Sequence, residues 1–198
     1  MKIKSCFFSL FLFGIFSAQS YKAVYYFKWK PQKNATEYLH EDFALLINEN
    51  KTSLFEEFIN HHSEHNSKKL DHVLKWIKTI GDKYGAQNHL FRPEAATADA
   101  SALPPKGKDR EPCYTELGKT KANNIRLYCL RANENVVFLF NGDIKTKHYA
   151  QDCPNVKEHF IVANKLTKAI DLAFVEKDIV WNDDYTLINY SSDFKLYF

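Results

Sequence analysis

Two neighbouring segments, 124–131 and 134–141, are rich in β-branched and aromatic residues and are separated by a short polar turn, Ala132-Asn133, which predicts an antiparallel hairpin. A period of two along the first places Arg126 and Tyr128 on one face and Ile125, Leu127 and Cys129 on the other. Near the N-terminus, Ala23, Tyr25, Phe27 and Trp29 alternate with Lys22, Val24, Tyr26 and Lys28, a strand ended by Pro31, and 43–48 reads as a second strand that completes an N-terminal hairpin. Ser53-x-x-Glu56 has the form of a capping box and opens a helix at Leu54 with the stripe Leu54, Phe55, Phe58 and Ile59. A second helix opens after Ser67, carries Leu70, Val73, Leu74, Ile77 and Ile80, and meets stop signals at Gly81 and Gly85. A third runs over about 157–175 with Phe160, Ala163, Leu166, Ile170, Ala173 and Phe174 as its stripe.

Between these elements, 94–112 is rich in Ala, Pro and charge and reads as a long surface loop. Residues 113–117 form a short strand expected to join the hairpin as its third member, and 118–123 is the turn between them. The tail has an apolar stretch at Ile179 and Trp181 and an alternating segment, 185–190, expected as an edge strand or docking arm. The fold class is therefore α+β: a central antiparallel sheet of three to four strands, packed by two N-terminal helices and one C-terminal helix, with an extra N-terminal β hairpin.

With 198 residues, 45% apolar and 15% aromatic, the chain can bury one good core. Its formal net charge of +3 neither demands nor excludes a polyanionic partner, so the location of the charge decides. Lys2 and Lys4 precede the apolar run 6–16 and the small polar exit Ser17-Ala18-Gln19-Ser20, the form of a secretory signal peptide and too short to span a bilayer. Its removal leaves a start near Tyr21 and no membrane span. The expected organisation is a signal peptide at 1–20, the N-terminal hairpin at 21–48, an α+β domain at 49–182 and a tail at 183–198. Oligomeric state is not readable.

Cys113, Cys129 and Cys153 are an odd, widely spaced set without zinc-ligand spacing, which favours buried thiols and leaves a Cys113–Cys129 bridge open. His61 and His65 are four apart, but His62 stands where an HExxH frame needs Glu. A solvated polar helix end accounts for these histidines, so no metal and no cofactor is expected. Beyond the hairpin come Lys145, Lys147, His148 and Tyr149, which a turning exit would bring back beside Arg126 and Tyr128: a cationic pocket with two phenols.

The leader, Y-x-x-x-Y-x-F-K-W-K-P, the polar turn and a strand ending in N-x-N-x-T-S-L-F together resemble the beginning of the GLPGLI family of secreted Bacteroidetes proteins, over roughly 1–57. The element order strand, helix, helix, strand, strand, strand, helix resembles the RelE superfamily of bacterial toxins. Residues 113–147 look like that family's succession of a strand with a Glu, a strand with Arg and Tyr, a hydrophobic strand and a Lys-rich exit. KTIGDKYGAQNHLFRPE, RLYCLR, ENVVFLFNG, IKT and AQDCPNV are similar to a Bacteroidetes branch of phage-derived, HigB-like proteins, over roughly 43–182.

The second resemblance implies a toxin of a type II toxin–antitoxin system that cleaves messenger RNA without metal, with RNA, the ribosome and a cognate antitoxin as partners. Such cleavage uses the substrate's 2′-hydroxyl as nucleophile and needs a base for its proton, an acid for the leaving 5′-oxygen and cations against the phosphate. Arg126, Lys145 and Lys147 would supply the cations, and Tyr128, His148 or Tyr149 would donate or relay a proton. Arg131, Tyr149, Lys119 and Lys121 are the expected RNA contacts, with Arg131 opposite Arg126 by alternation.

The two resemblances point to different compartments, exported for the leader and cytoplasmic for ribosome-dependent cleavage. An exported protein reusing the fold, a poorly used signal, or a leader joined near 48–54 to a toxin-like body would each reconcile them. The alternative function is a non-enzymatic exported protein that binds a partner or envelope surface.

Overall fold

Ser53 does what its spacing promised. Its hydroxyl accepts the Glu56 N–H and the Glu56 carboxylate accepts the Ser53 N–H, both at 2.9 Å, so two amides that a helix start leaves free are satisfied reciprocally. The computed structural model that establishes this describes residues 25–28, 53–95, 98–191, 194, 196 and 198. The leader and the strand expected at 43–48 lie outside them. In chain order the elements are β1 (Tyr25–Lys28), α1 (Leu54–His65), α2 (Ser67–Thr79), β2 (Arg92–Pro93), β3 (Ser101–Leu103), β4 (Tyr114–Glu116), β5 (Lys119–Lys121), β6 (Ile125–Arg131), β7 (Val136–Ile144), α3 (Pro154–Glu176), β8 (Ile179–Trp181) and β9 (Ile188–Tyr190).

The central sheet is antiparallel with strand order β1-β7-β6-β3-β2. The alternation read from the sequence decides which helix each face meets. Ile125, Leu127, Cys129, Val137 and Leu139 pack with Phe58, Val73, Trp76 and Ile80 from the α1–α2 side. Tyr128, Leu130, Val136, Phe138 and Phe140 pack with Phe160, Ala163, Leu166 and Ile170 of α3. Both faces of β6 and β7 are covered, which is why these strands read as nearly continuous apolar runs. At about 1.5–3 kcal/mol per fully buried large side chain, the two clusters carry the fold.

The third strand is not the one expected. Residues 114–116 are extended, but they pair with β5 in a separate two-stranded sheet, through a tight turn in which Leu117 and Gly118 both take positive φ, 52° and 73°. The neighbour of β6 is instead β3, from within the segment read as a loop. Three residues are too few to show a period, and the Ala-rich composition that suggested a loop suits a strand lying close under a helix. Ala100 and Ala102 are buried, and the Asn164 side-chain oxygen of α3 accepts the Asp99 and Ala100 N–H groups at 2.8 and 3.1 Å. The central sheet thus has five strands instead of three to four.

The tail is neither an edge strand of this sheet nor a free arm: β8 and β9 pair with each other, and Trp181 stacks on Phe174 of α3 with ring centroids 4.6 Å apart. All three described cysteines are free thiols, with Cys129 and Cys153 buried. No helix among the described residues is long and apolar enough to cross a membrane.

One irregularity shapes everything at the end of the hairpin. Leu127 pairs with Gly142 and Cys129 with Leu139, so β7 bulges between them. At Gly142 the two backbones approach so closely that a Cβ would lie 1.7 Å from the Arg126 carbonyl oxygen, and only glycine fits.

Candidate functional site

The α3-facing side of β6 presents Arg126 and Tyr128, as the period of two requires. Beyond the bulge, the Lys145 N–H donates to the Asn124 carbonyl at 2.8 Å, which holds the exit of β7 against the start of β6 and brings the lysine side chain alongside. Both cations end on Glu94, the first residue of the segment expected as a surface loop. Glu94, just after β2, has a side chain only 1% exposed; one oxygen accepts Arg126 Nε at 2.8 Å and the other accepts the Lys145 ammonium. Arg92 Nε lies 3.1 Å from the same oxygen as Arg126, but at an angle that makes no hydrogen bond. Arg126 is further fixed by Nη1, which donates to the Asn123 and Ile125 carbonyls at 3.0 and 2.7 Å.

Three cationic groups therefore surround one carboxylate, leaving two positive charges in excess. The Arg126 and Lys145 side chains are 9% exposed and that of Arg92 17%, so water screens this excess poorly. Burial, followed by the neighbouring Arg126 charge, pulls the Arg92 guanidinium below its ordinary value. The Tyr128 hydroxyl is buried beside the cluster with no hydrogen-bond partner among the described residues. Burial first, and the Glu94 charge second, push its phenol far up, so it stays protonated and keeps a proton to donate.

Cys153 stands at the N-terminal cap of α3. Its sulfur lies 3.3 Å from the Thr146 N–H and 3.4 Å from the Thr146 hydroxyl. Burial pushes this thiol up, but hydrogen bonds from Thr146, Lys147 and Val156 outweigh it and bring it down to about 7.

Of the expected catalytic set, Arg126, Lys145 and Tyr128 are brought together. Lys147 and His148 are exposed on the loop between β7 and α3, where the His148 ring meets Tyr149 edge-on at 4.6 Å. The expected RNA contacts scatter. Arg131 points to the opposite face, as alternation implies, and donates Nε to the Ala86 carbonyl. Lys119 and Lys121 are exposed on the separate β4–β5 hairpin, with Lys121 bonded to Glu116 at 2.8 Å. Glu116, the carboxylate on the strand that the RelE-like resemblance implied, bonds Lys121 on the separate hairpin, and Glu94 takes the place beside Arg126.

Glu94 and Arg92 were missed because a lone carboxylate in a polar stretch has no period. The available signal was Arg92-Pro93-Glu94 itself, a charged pair around a proline inside the segment that carried the resemblance. A metal was not expected, yet His61, His62 and Asp143 place their ligand atoms within 4.8 Å of one another. Compared with protein-family models, with curated proteins and with solved structures, the chain gave no significant match.

Proposed function

We propose that the chain is a metal-free RNA endonuclease of the RelE/HigB toxin type, acting in the cytoplasm and normally covered by an antitoxin. The observation that carries this reading is the buried excess of positive charge around Glu94, with a protonated, unpartnered phenol beside it. Surplus buried cations are costly unless an anion completes them, and a phosphodiester is an anion of the right size and charge. Arg92, the most exposed of the three, is the group that meets the phosphate, while Glu94 holds Arg126 and Lys145 in place behind it. Lys147 adds charge on the adjoining exposed loop, His148 moves the proton to or from the ribose or leaving oxygen, and Tyr149 stacks on a base.

The test is induction of the chain without residues 1–20 in a bacterial host, with RNA cleavage mapped by primer extension. Growth arrest is expected, reversed by His148→Ala and Lys147→Ala, two exposed positions whose loss leaves the core intact. Unchanged growth with intact RNA refutes the reading. The second reading, an exported binding protein without catalysis, has one observation in its favour: Glu94 already neutralises part of the cluster, as in a structural ion network.

A further inference from the structure

The last turn of α1 places His61 and His62 over β7 where that strand bulges, and Asp143 follows the bulge. His62 is fully buried and its ring is held edge-on against Phe58, centroids 4.7 Å apart. Its Nε2 faces two oxygens, Gly142 O at 3.4 Å and Asp143 Oδ1 at 3.8 Å. Both separations exceed the roughly 2.9 Å of a good N–H···O bond, so the contact is underfilled for a proton. They are close to the separation of about 3.3 Å between donors that share one tetrahedral ion with bonds near 2.0 Å.

The other ring nitrogen, Nδ1, lies 3.2 Å from Asn66 Nδ2, the donor end of that carboxamide. Turning that carboxamide over by half a rotation presents its oxygen instead, which moves the ring proton to Nδ1 and leaves the Nε2 lone pair facing Asp143, the arrangement in which an outer partner orients a ligating histidine. His61 is exposed, its ring stacks on His65 with centroids 5.3 Å apart, and its ligand atom lies within 4.8 Å of those of His62 and Asp143.

We infer that His61, His62 and Asp143 form a binding site for a divalent transition ion of the cobalt, nickel and zinc group, with Asn66 as the positioning residue and Gly142 O beside the remaining coordination position. Two imidazoles and one carboxylate suit that group; calcium and magnesium call for oxygen ligands throughout. The bound ion clamps the end of α1 to a strand some 80 residues away in sequence. The site shares no residue with the Glu94 cluster and is independent of the RNA chemistry proposed above.

The full chain, stripped with chelator, is titrated with cobalt(II) and followed by visible absorption, then with zinc by calorimetry. One saturable equivalent is expected. Asp143→Asn and His61→Ala, both outside the buried core, each weaken binding by about 100-fold, Asn66→Ala by about tenfold, and the exposed His89→Ala not at all. Circular dichroism of each metal-free variant confirms that it is folded. Absence of saturable binding to the unaltered chain, or unchanged affinity in either Asp143→Asn or His61→Ala, overturns the site.

Discussion

Replacing Glu94 by Gln keeps the shape of the side chain and removes its charge. The carboxylate is 1% exposed and sits 2.8 Å from Arg126 Nε and 3.1 Å from Arg92 Nε, with the Lys145 ammonium on its other oxygen. Even at an effective dielectric constant near 20, a unit charge pair at such distances is worth about 6 kcal/mol in gross Coulomb energy. Much of that is offset by the cost of drying both ions, so the relevant figure is the net cost of breaking a buried pair from one side, about 3–5 kcal/mol.

That is a large part of the roughly 5–15 kcal/mol that keeps a domain folded. At about 2–4 °C per kcal/mol for a chain of this size, the midpoint of thermal unfolding should fall by roughly 10 °C or more. Urea unfolding should show a lower midpoint with an unchanged slope. The double variant Glu94→Gln/Arg126→Met should be less unstable than the two single losses added, because the second change removes one of the stranded cations. A loss below about 1 kcal/mol for Glu94→Gln would mean that water already screens the cluster, and the argument from buried charge would fail with it.

Gly142→Ala should be among the most damaging single-methyl changes in the chain, costing about 1–3 kcal/mol or abolishing soluble expression, since its Cβ would meet the Arg126 carbonyl at 1.7 Å and neither backbone can give way cheaply. Denaturation midpoints check this, and a neutral result would place the bulge elsewhere. Stability should also fall in mild acid. Burial, the largest influence on His72, lowers its proton affinity below the ordinary 6.5, so the unfolded chain binds the extra proton first. Stability is then full above about 6.5 and is lost as pH drops through and below that value. His72→Gln should flatten the slope measured by urea titration between neutral pH and pH 5; an unchanged slope would show that His72 is not responsible.

What the sequence determined by itself is whatever is local. The capping box at Ser53, most of each helical stripe, and the alternation that puts Arg126 and Tyr128 opposite Leu127 and Cys129 follow from side-chain periods within one element and stand in the structure; the second helix departs in exposing Leu74 and burying Trp76 instead. Arg126 and Lys145 could be placed together because a hairpin returns its exit to its entrance.

Only the tertiary structure could decide what lies between distant segments. Glu94 reaches Arg126 across 32 residues and Lys145 across 51, His62 reaches Gly142 across 80, and β3 joins the sheet from a stretch too short to have a period. Charge attraction and backbone pairing act through space, and neither leaves a repeat along the chain for a reader to find.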